Sequence, residues 1–497
     1  MNKQRGNILL NVDWVIIGIY LTLCLLGVLN IYAADFNPAH SDFFDLGHRS
    51  GKQALWIGAS LIIALGIMAF EGKFFRAMSP FIYALVSLLL FVVIFIARDV
   101  KGAKAWIDLG PFKLQPAEFA KFATALFLSA YLGSITRNKK SEVASIEDIG
   151  RNFSRFIRGK KVFSLSDTDV YGQVFPLAII LLPMFLILGQ DDTGSALVFS
   201  SFFFVFYREG VIGRVFIVGL LAIVLAILTL MFDKHVAFTA LGVLAVIVYA
   251  SFIKRTNMAL ITIGSVVLFL IFMGVFDWSA SFNTYVLWGW ISINVIVIIS
   301  VPELWKRIER GVIVGSLVVA LGYVGFIEQA YNVLQPHQKE RIEIILGKKH
   351  DKTVSFQTDQ ALNAIGSGGF LGKGYLEGTH TKGKWVPEQS TDYIFCTVGE
   401  EWGFFGTSFV ILLFVALIFR LLQKAEKQRS KMSRIYGYSV ASILFFHLLV
   451  NIGMTLQIMP VIGIPLPFMS YGGSSLFGFT ALLFMFVKFD AQRLDVL

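Results

Sequence analysis

Four carboxylates crowd one short stretch of this 497-residue chain. Glu388, Asp392, Glu400 and Glu401 lie near the end of segment 366–406, GSGGFLGKGYLEGTHTKGKWVPEQSTDYIFCTVGEEWGFFG. An acid near other acids and near an apolar boundary has a raised proton affinity, which suits a general base. Asp392 stands where the polar stretch turns back into an apolar run, so it is the candidate for proton transfer. The pull of a helix dipole on an acid in its first turn would account for the same position without any chemistry. Ser390 and Thr391 already offer capping hydroxyls, however, and Glu388 adds repulsion four residues earlier. Lys373 lies among Gly366, Gly368, Gly369, Gly372 and Gly374. These glycines allow close backbone approach and positive φ, loosely like a loop that cradles phosphate.

Three other stretches carry polar residues between apolar runs. In 101–121, KGAKAWIDLGPFKLQPAEFAK, Pro116 suits a helix start. Glu118 and Lys121 then share a helical face, either as a helix-end ion pair or with Glu118 holding Lys121 toward a polar cavity. Lys104 and Trp106 precede them at the membrane interface, where tryptophan is commonly an anchor. In 189–196, GQDDTGSA, Asp191 or Asp192 can cap the next helix or face a cation or sugar. In 459–475, MPVIGIPLPFMSYGGSS, Pro460, Pro465 and Pro467 exclude a regular helix. This predicts an irregular segment that lines a cavity or packs on protein. It includes Ser470, and Tyr471-Gly-Gly-Ser-Ser opens the last helix as an anion site or as a tight packing turn.

Membrane helices must position these residues. The chain is 56% hydrophobic and 15% charged, far from a soluble composition. Its net charge of +10 fits cytoplasmic loops, and nothing indicates nucleic-acid binding. Cys24 and Cys396 suggest neither a disulfide framework nor a metal site. Apolar runs at 14–33, 53–71, 78–97, 116–134, 173–190, 194–209, 211–232, 235–253, 258–276, 283–301, 311–328, 396–421, 436–458 and 472–488 predict about fourteen helical spans. The run at 14–33 reads as an uncleaved first helix rather than a signal peptide. Lys and Arg then concentrate in alternate connections, which places both termini in the cytoplasm and 329–395 outside as a large loop. Segment 135–172 becomes the longest cytoplasmic connection.

Taken together, GAKAWIDLG…QPAEFAK, QDDTGSALV, Gln357 through GSGGFLGKGY, GTHT, PEQSTDYIFCTVGEEWGFFG and PLPFMSYGGSS resemble the SEDS family (shape, elongation, division and sporulation; RodA, FtsW, SpoVE). PHQKERI and PEQSTDYIFCTVGEEWGF lean toward its RodA branch. The resemblance implies an all-α, polytopic transmembrane bundle: ten core helices plus about four inserted within 208–310. It implies a peptidoglycan glycosyltransferase that polymerises lipid II at the outer face of the bacterial cytoplasmic membrane, for elongation and rod shape. The family's essential acid falls on Asp392, its QPAE–K residues on Glu118 and Lys121, and the acid of the second motif on Asp192. With these, Lys104, Trp106, Lys373, Glu388 and Ser470 make up the candidate substrate-binding set. Implied partners are a class B penicillin-binding protein transpeptidase and other elongation-complex membrane proteins. A divalent cation (Mg or Mn) at the diphosphate is compatible with this chemistry; no organic cofactor is implied. The sequence departs from the family at Ala105, where arginine is usual, and at Asp191, where proline is usual. The competing readings are a lipid II flippase, for which many helices and a broken one would suit alternating access, and a non-catalytic cell-wall scaffold.

Overall fold

The last helix is the centre of the bundle. In the computed structural model, residues 11–36, 42–97, 104–108, 110, 113–134, 170–210, 352–459 and 461–493 are described, with isolated positions between 322 and 339. The chain divides into two units, 1–141 with 169–211 and 350–497, and 142–168 with 212–349. In the second unit, Lys339 Nζ donates to the Asn332 carbonyl at 2.9 Å and lies 5.6 Å from the Tyr331 ring. The expected spans from 211 to 328, the proposed insertion beyond residue 210 and the connection 135–169 lie outside the described residues, apart from those isolated positions.

All labelled elements belong to the first unit. They are α1 (Trp14–Asp35), α2 (Arg49–Ala69), α3 (Gly72–Ile96), β1 (Ile107–Asp108), β2 (Lys113–Leu114), α4 (Pro116–Ser134), α5 (Val170–Leu188), α6 (Thr193–Val198), α7 (Phe202–Arg208), α8 (Lys352–Ser367), α9 (Thr379–Lys382), α10 (Ile394–Glu426), α11 (Lys431–Thr455) and α12 (Gly473–Ala491). Six of them, α1, α2, α3, α10, α11 and α12, are long and apolar enough to cross a membrane. Nearly every residue of α12 is buried, and it packs against α2, α4 and α11. A helix apolar on all sides belongs in such a centre. By contrast, α2 and α3 expose Leu55, Ile62, Leu65, Phe81, Leu85 and Phe95 on the outside of the bundle.

One expectation is corrected and two details are added. α5 begins at Val170, within the expected connection 135–172. The run 194–209 is not one helix: a 3-10 turn over Phe199–Ser201 separates α6 from α7. There Ser200 Oγ bonds the Leu197 carbonyl at 2.7 Å, competing with the backbone ladder. Finally, the all-α bundle carries a two-stranded hairpin, with Ile107 opposite Leu114 and Asp108 opposite Lys113. Gly110 at φ 87 gives the left-handed backbone of its turn.

The Gly-rich stretch does structural work. Gly403, at φ 62 and ψ −156, breaks α10. The break stops the amides of Phe404 and Phe405 from reaching the carbonyls of Glu400 and Glu401. The loop after α8 takes up all four groups. Phe404 N and Phe405 N donate to Gly369 O and Phe370 O at 2.9 and 3.2 Å, and Lys373 N and Gly374 N donate to Glu400 O and Glu401 O at 3.0 Å each. A Cβ on Gly372 would lie 2.1 Å from Glu401 O. The loop is therefore spliced into a helix, and those amides are not available to cradle a phosphate.

Bonds between helix ends sort the bundle into two faces. At one, Lys424 Nζ bonds both Asp13 Oδ2 (2.7 Å) and Asp490 Oδ2 (3.2 Å). The start of α1 and the end of α12 thus meet. Arg420, Arg434, Arg208, Lys488 and Arg493 share this face through Asp13, Glu209, Glu426, Met68 O and Asp490. The opposite face carries the candidate site.

Candidate functional site

Asp392 lies two residues before α10, partly exposed, on a strand of backbone gripped from several sides. Ser470 Oγ donates to Thr391 O at 2.6 Å and accepts from Leu466 N at 2.8 Å. Tyr471 N donates to Ser390 O at 2.9 Å, and Asn451 Nδ2 donates to Asp392 O at 2.8 Å. The backbone that carries Asp392 is thereby fixed from the irregular segment and from α11. The Asp392 carboxylate faces Gly463: a Cβ there would sit 3.3 Å from Oδ2, and Gly463 has φ 69. Glycine is what leaves that side of the carboxylate open.

The expected irregular segment before α12 is irregular over 461–470. It packs on protein, with Ile464, Leu466, Phe468, Met469 and Ser470 buried; Pro460 lies outside the described residues. Gly27 of α1 permits its close approach, since a Cβ there would meet Met469 Cα at 2.7 Å.

The other expected residues fall into distinct places. Glu388 stays beside Asp392: it has φ 53, and its Oε2 accepts from Thr391 Oγ1 at 3.1 Å. Ser470 is buried and bonded to backbone, so it shapes the Asp392 strand. Lys373 Nζ is bound to Glu400 Oε1 at 2.7 Å and to Thr379 Oγ1 at 2.7 Å. Glu400 is wholly buried and also accepts from His380 N, Thr381 N and Thr381 Oγ1. The four acids therefore part into two places: Glu388 with Asp392, and Glu400 as a staple for the loop 373–381 with Glu401 buried next to it. Asp192 caps α6 through Ser195 N (2.9 Å) and accepts from Gln115 Nε2 (2.8 Å). Gln115 N in turn donates to Ser474 Oγ, whose hydroxyl donates to Lys113 O. Ser474 at the start of α12 thus anchors the hairpin, which favours the packing reading of that helix start. Lys104 is exposed and Trp106 half-buried, and Lys104 N bonds Gln190 O at 2.9 Å.

Lys121 needs a correction as a diphosphate contact. It and Glu118 are each 2% exposed, with Nζ–Oε2 at 2.8 Å. The ammonium also meets His447 Nε2 at 3.0 Å and lies 4.5 Å from the Phe479 ring centre. Its ammonium is committed to Glu118, His447 and the Phe479 ring inside the bundle.

Sequence reasoning missed Arg49, His447 and Asn451. Arg49 is exposed at the start of α2. Its guanidinium bonds Ser390 Oγ, two residues from Asp392, and stands 5.6 Å from the Tyr471 ring centre. It is a cation on the segment that carries the acid, of a kind that can meet an anionic leaving group. His447 and Asn451 sit in the apolar run 436–458, where polar side chains are expensive enough to signal a role.

The chain matches the family FTSW_RODA_SPOVE, described as Cell cycle protein, over residues 13–241 and 240–494. It is 28% identical over 484 residues to the peptidoglycan glycosyltransferase RodA of Treponema pallidum (strain Nichols), covering 97% of this chain and 98% of that one. Its fold is similar to a chain solved under the heading of structural coordination of polymerization and crosslinking by a peptidoglycan synthase complex (TM-score 0.58, 21% identity, 97% and 98% covered). It is also similar to a mutant of the rod shape determining protein RodA of Thermus thermophilus (TM-score 0.51, 20% identity, 97% and 99% covered). With the two family matches together running from residue 13 to residue 494, the chain belongs to the FtsW/RodA/SpoVE family of cell cycle proteins.

Proposed function

We propose that the chain is a peptidoglycan glycosyltransferase that polymerises lipid II at the outer face of the cytoplasmic membrane, with Asp392 as its general base. The observation that carries the assignment is the partly exposed Asp392, held on a fixed backbone with its carboxylate opposite Gly463 and with the Arg49 guanidinium bonded to Ser390, two residues before it. The acceptor 4-hydroxyl gives its proton to Asp392 as its oxygen forms the new bond to the donor's anomeric carbon. The anomeric carbon–phosphate oxygen bond breaks, and the undecaprenyl diphosphate leaves with the electron pair. One displacement inverts the centre, so no second carboxylate is needed as nucleophile. The leaving diphosphate needs charge stabilisation more than a proton. Arg49 and the exposed Lys104 are the groups assigned to it. Glu388, Trp106 and Asp192 are assigned to the surrounding substrate contacts.

Among the described residues no three His, Cys, Asp or Glu side chains converge as a metal cage. A divalent cation, where the reaction uses one, would be carried on the diphosphate with one or two carboxylates, as magnesium is commonly bound. The orientation follows from charge: Arg208, Arg420, Lys424, Arg434, Lys488 and Arg493 lie on the face opposite Asp392. By the positive-inside rule we assign that face, which carries the start of α1 and the end of α12, to the cytoplasm. The expected partner is a class B penicillin-binding protein, within a larger set of elongation proteins.

The test is reconstitution with a class B partner, lipid II and Mg²⁺ or Mn²⁺, with glycan strands read on a gel. Wild type is expected to make strands and Asp392→Ala none. If neither does, although both are folded and in complex, the reading fails and lipid II translocation in vesicles becomes the next assay.

A further inference from the structure

Two polar side chains on α11, four residues apart and therefore on one helical face, reach out of the apolar bundle to the backbone around Asp392. Asn451, fully buried, donates through Nδ2 to Asp392 O and to Ile464 O, both at 2.8 Å. One amide thus ties the strand that carries the acid to the segment that faces its carboxylate. His447, 1% exposed, touches the next carbonyl: its Nδ1 lies 3.0 Å from Pro465 O. Its Nε2 lies 3.0 Å from Lys121 Nζ. An ammonium has only protons to give, so Nε2 accepts, and the ring proton is on Nδ1 and donates to Pro465 O. The Phe479 ring packs edge-on at 4.8 Å and holds the imidazole plane.

These contacts form one chain. Glu118 holds Lys121, Lys121 fixes the tautomer of His447, and His447 and Asn451 hold the carbonyls of Pro465, Ile464 and Asp392. Gly463, next in line, is the residue opposite the Asp392 carboxylate. The backbone of 463–465 has no helix or strand of its own to hold it, so its position depends on these side-chain donors. A displacement there of an ångström would move the wall of the site relative to the acid, and misplacement of that size costs on the order of 10²-fold in rate.

We infer that His447 and Asn451 are positioning residues for Asp392, and that the buried Glu118–Lys121 pair serves the reaction through His447 and not by touching the lipid diphosphate. This rests on the glycosyltransferase reading above.

The test uses the full-length protein in complex with its class B partner and measures kcat and KM for lipid II. Asn451→Asp keeps the side chain's shape but loses the donor, and His447→Phe keeps a ring but loses both hydrogen bonds. Both are expected to lower kcat by about tenfold to 10²-fold with KM within about twofold of wild type. His447→Gln supplies one donor and one acceptor and is expected to recover most of kcat. Thermal unfolding of each variant in detergent separates the positioning role from general damage: His447→Gln and His447→Phe are to be compared at temperatures where both are folded. The inference is overturned if KM rises while kcat holds, which would mean direct contact with substrate. It is also overturned if folded His447→Phe and Asn451→Asp turn over like wild type. A wild-type complex that makes no strands overturns the underlying reading as well, and is recognised by that control alone.

Discussion

Replacing Lys121 by methionine tests whether the intramembrane pair is a closed unit. The substitution keeps an unbranched side chain one atom shorter and removes the charge. In the wild type, Lys121 Nζ lies 2.8 Å from Glu118 Oε2, 3.0 Å from His447 Nε2 and 4.5 Å from the Phe479 ring centre, and both partners of the pair are 2% exposed. Lys121→Met leaves Glu118 as a buried carboxylate without a counter-charge, a loss of about 3–5 kcal/mol. The vacated acceptor on His447 adds part of a further ~1–3 kcal/mol, not additively, because the groups share one network. Glu118→Leu combined with Lys121→Met removes both charges. An apolar replacement of a buried pair is close to neutral, so the double variant is expected to regain most of the loss. The assay is titration with a denaturing detergent, comparing wild type, both single variants and the double variant. A Lys121→Met protein as stable as wild type would refute the reasoning, since the lysine would then face water or substrate. Equal instability of single and double variants would also count against it.

Other expectations follow from single features. Gly372→Ala places a Cβ 2.1 Å from Glu401 O at φ 80, so it should unseat the loop from the break at Gly403 and speed proteolysis within 366–385. Arg49→Ala should lower kcat/KM for lipid II by roughly tenfold, the value of one charge-assisted hydrogen bond, with most of the change in kcat. At the opposite face, burial alone would raise the Asp13 carboxyl's pKa, but Lys424 and Arg420 outweigh it and hold the group below the ordinary carboxylate range. Its stabilisation is therefore complete above the unfolded value near pH 4 and is lost as pH falls through the lower folded value. An acid series of melting curves should show a steeper loss for wild type than for Asp13→Asn.

Hydropathy made the helices legible, because lipid forces every apolar run of sufficient length to satisfy its own backbone. Thus 116–134 agrees residue for residue with α4, and the ends of α1 and α10–α12 differ by a few residues. Three prolines likewise announced the irregular segment before α12. The partners of the charges were not legible. Lys373 follows glycines that suggested a phosphate loop, but its partner Glu400 is 27 residues away and meets it only because α10 breaks at Gly403. His447 and Asn451 looked like minor interruptions of an apolar run. Their importance comes from the carbonyls of Ile464, Pro465 and Asp392, which only the fold brings to them.

The most direct measurement compares Asp392→Asn with wild type, each purified with a class B partner. It follows lipid II binding and a single round of strand extension. The asparagine preserves size and the backbone grip of Ser470 and Asn451 but cannot take a proton. The account predicts unchanged lipid II binding and a fall in extension rate of about 10²–10⁴-fold, the usual contribution of a general base. Extension at a near wild-type rate by Asp392→Asn would contradict it.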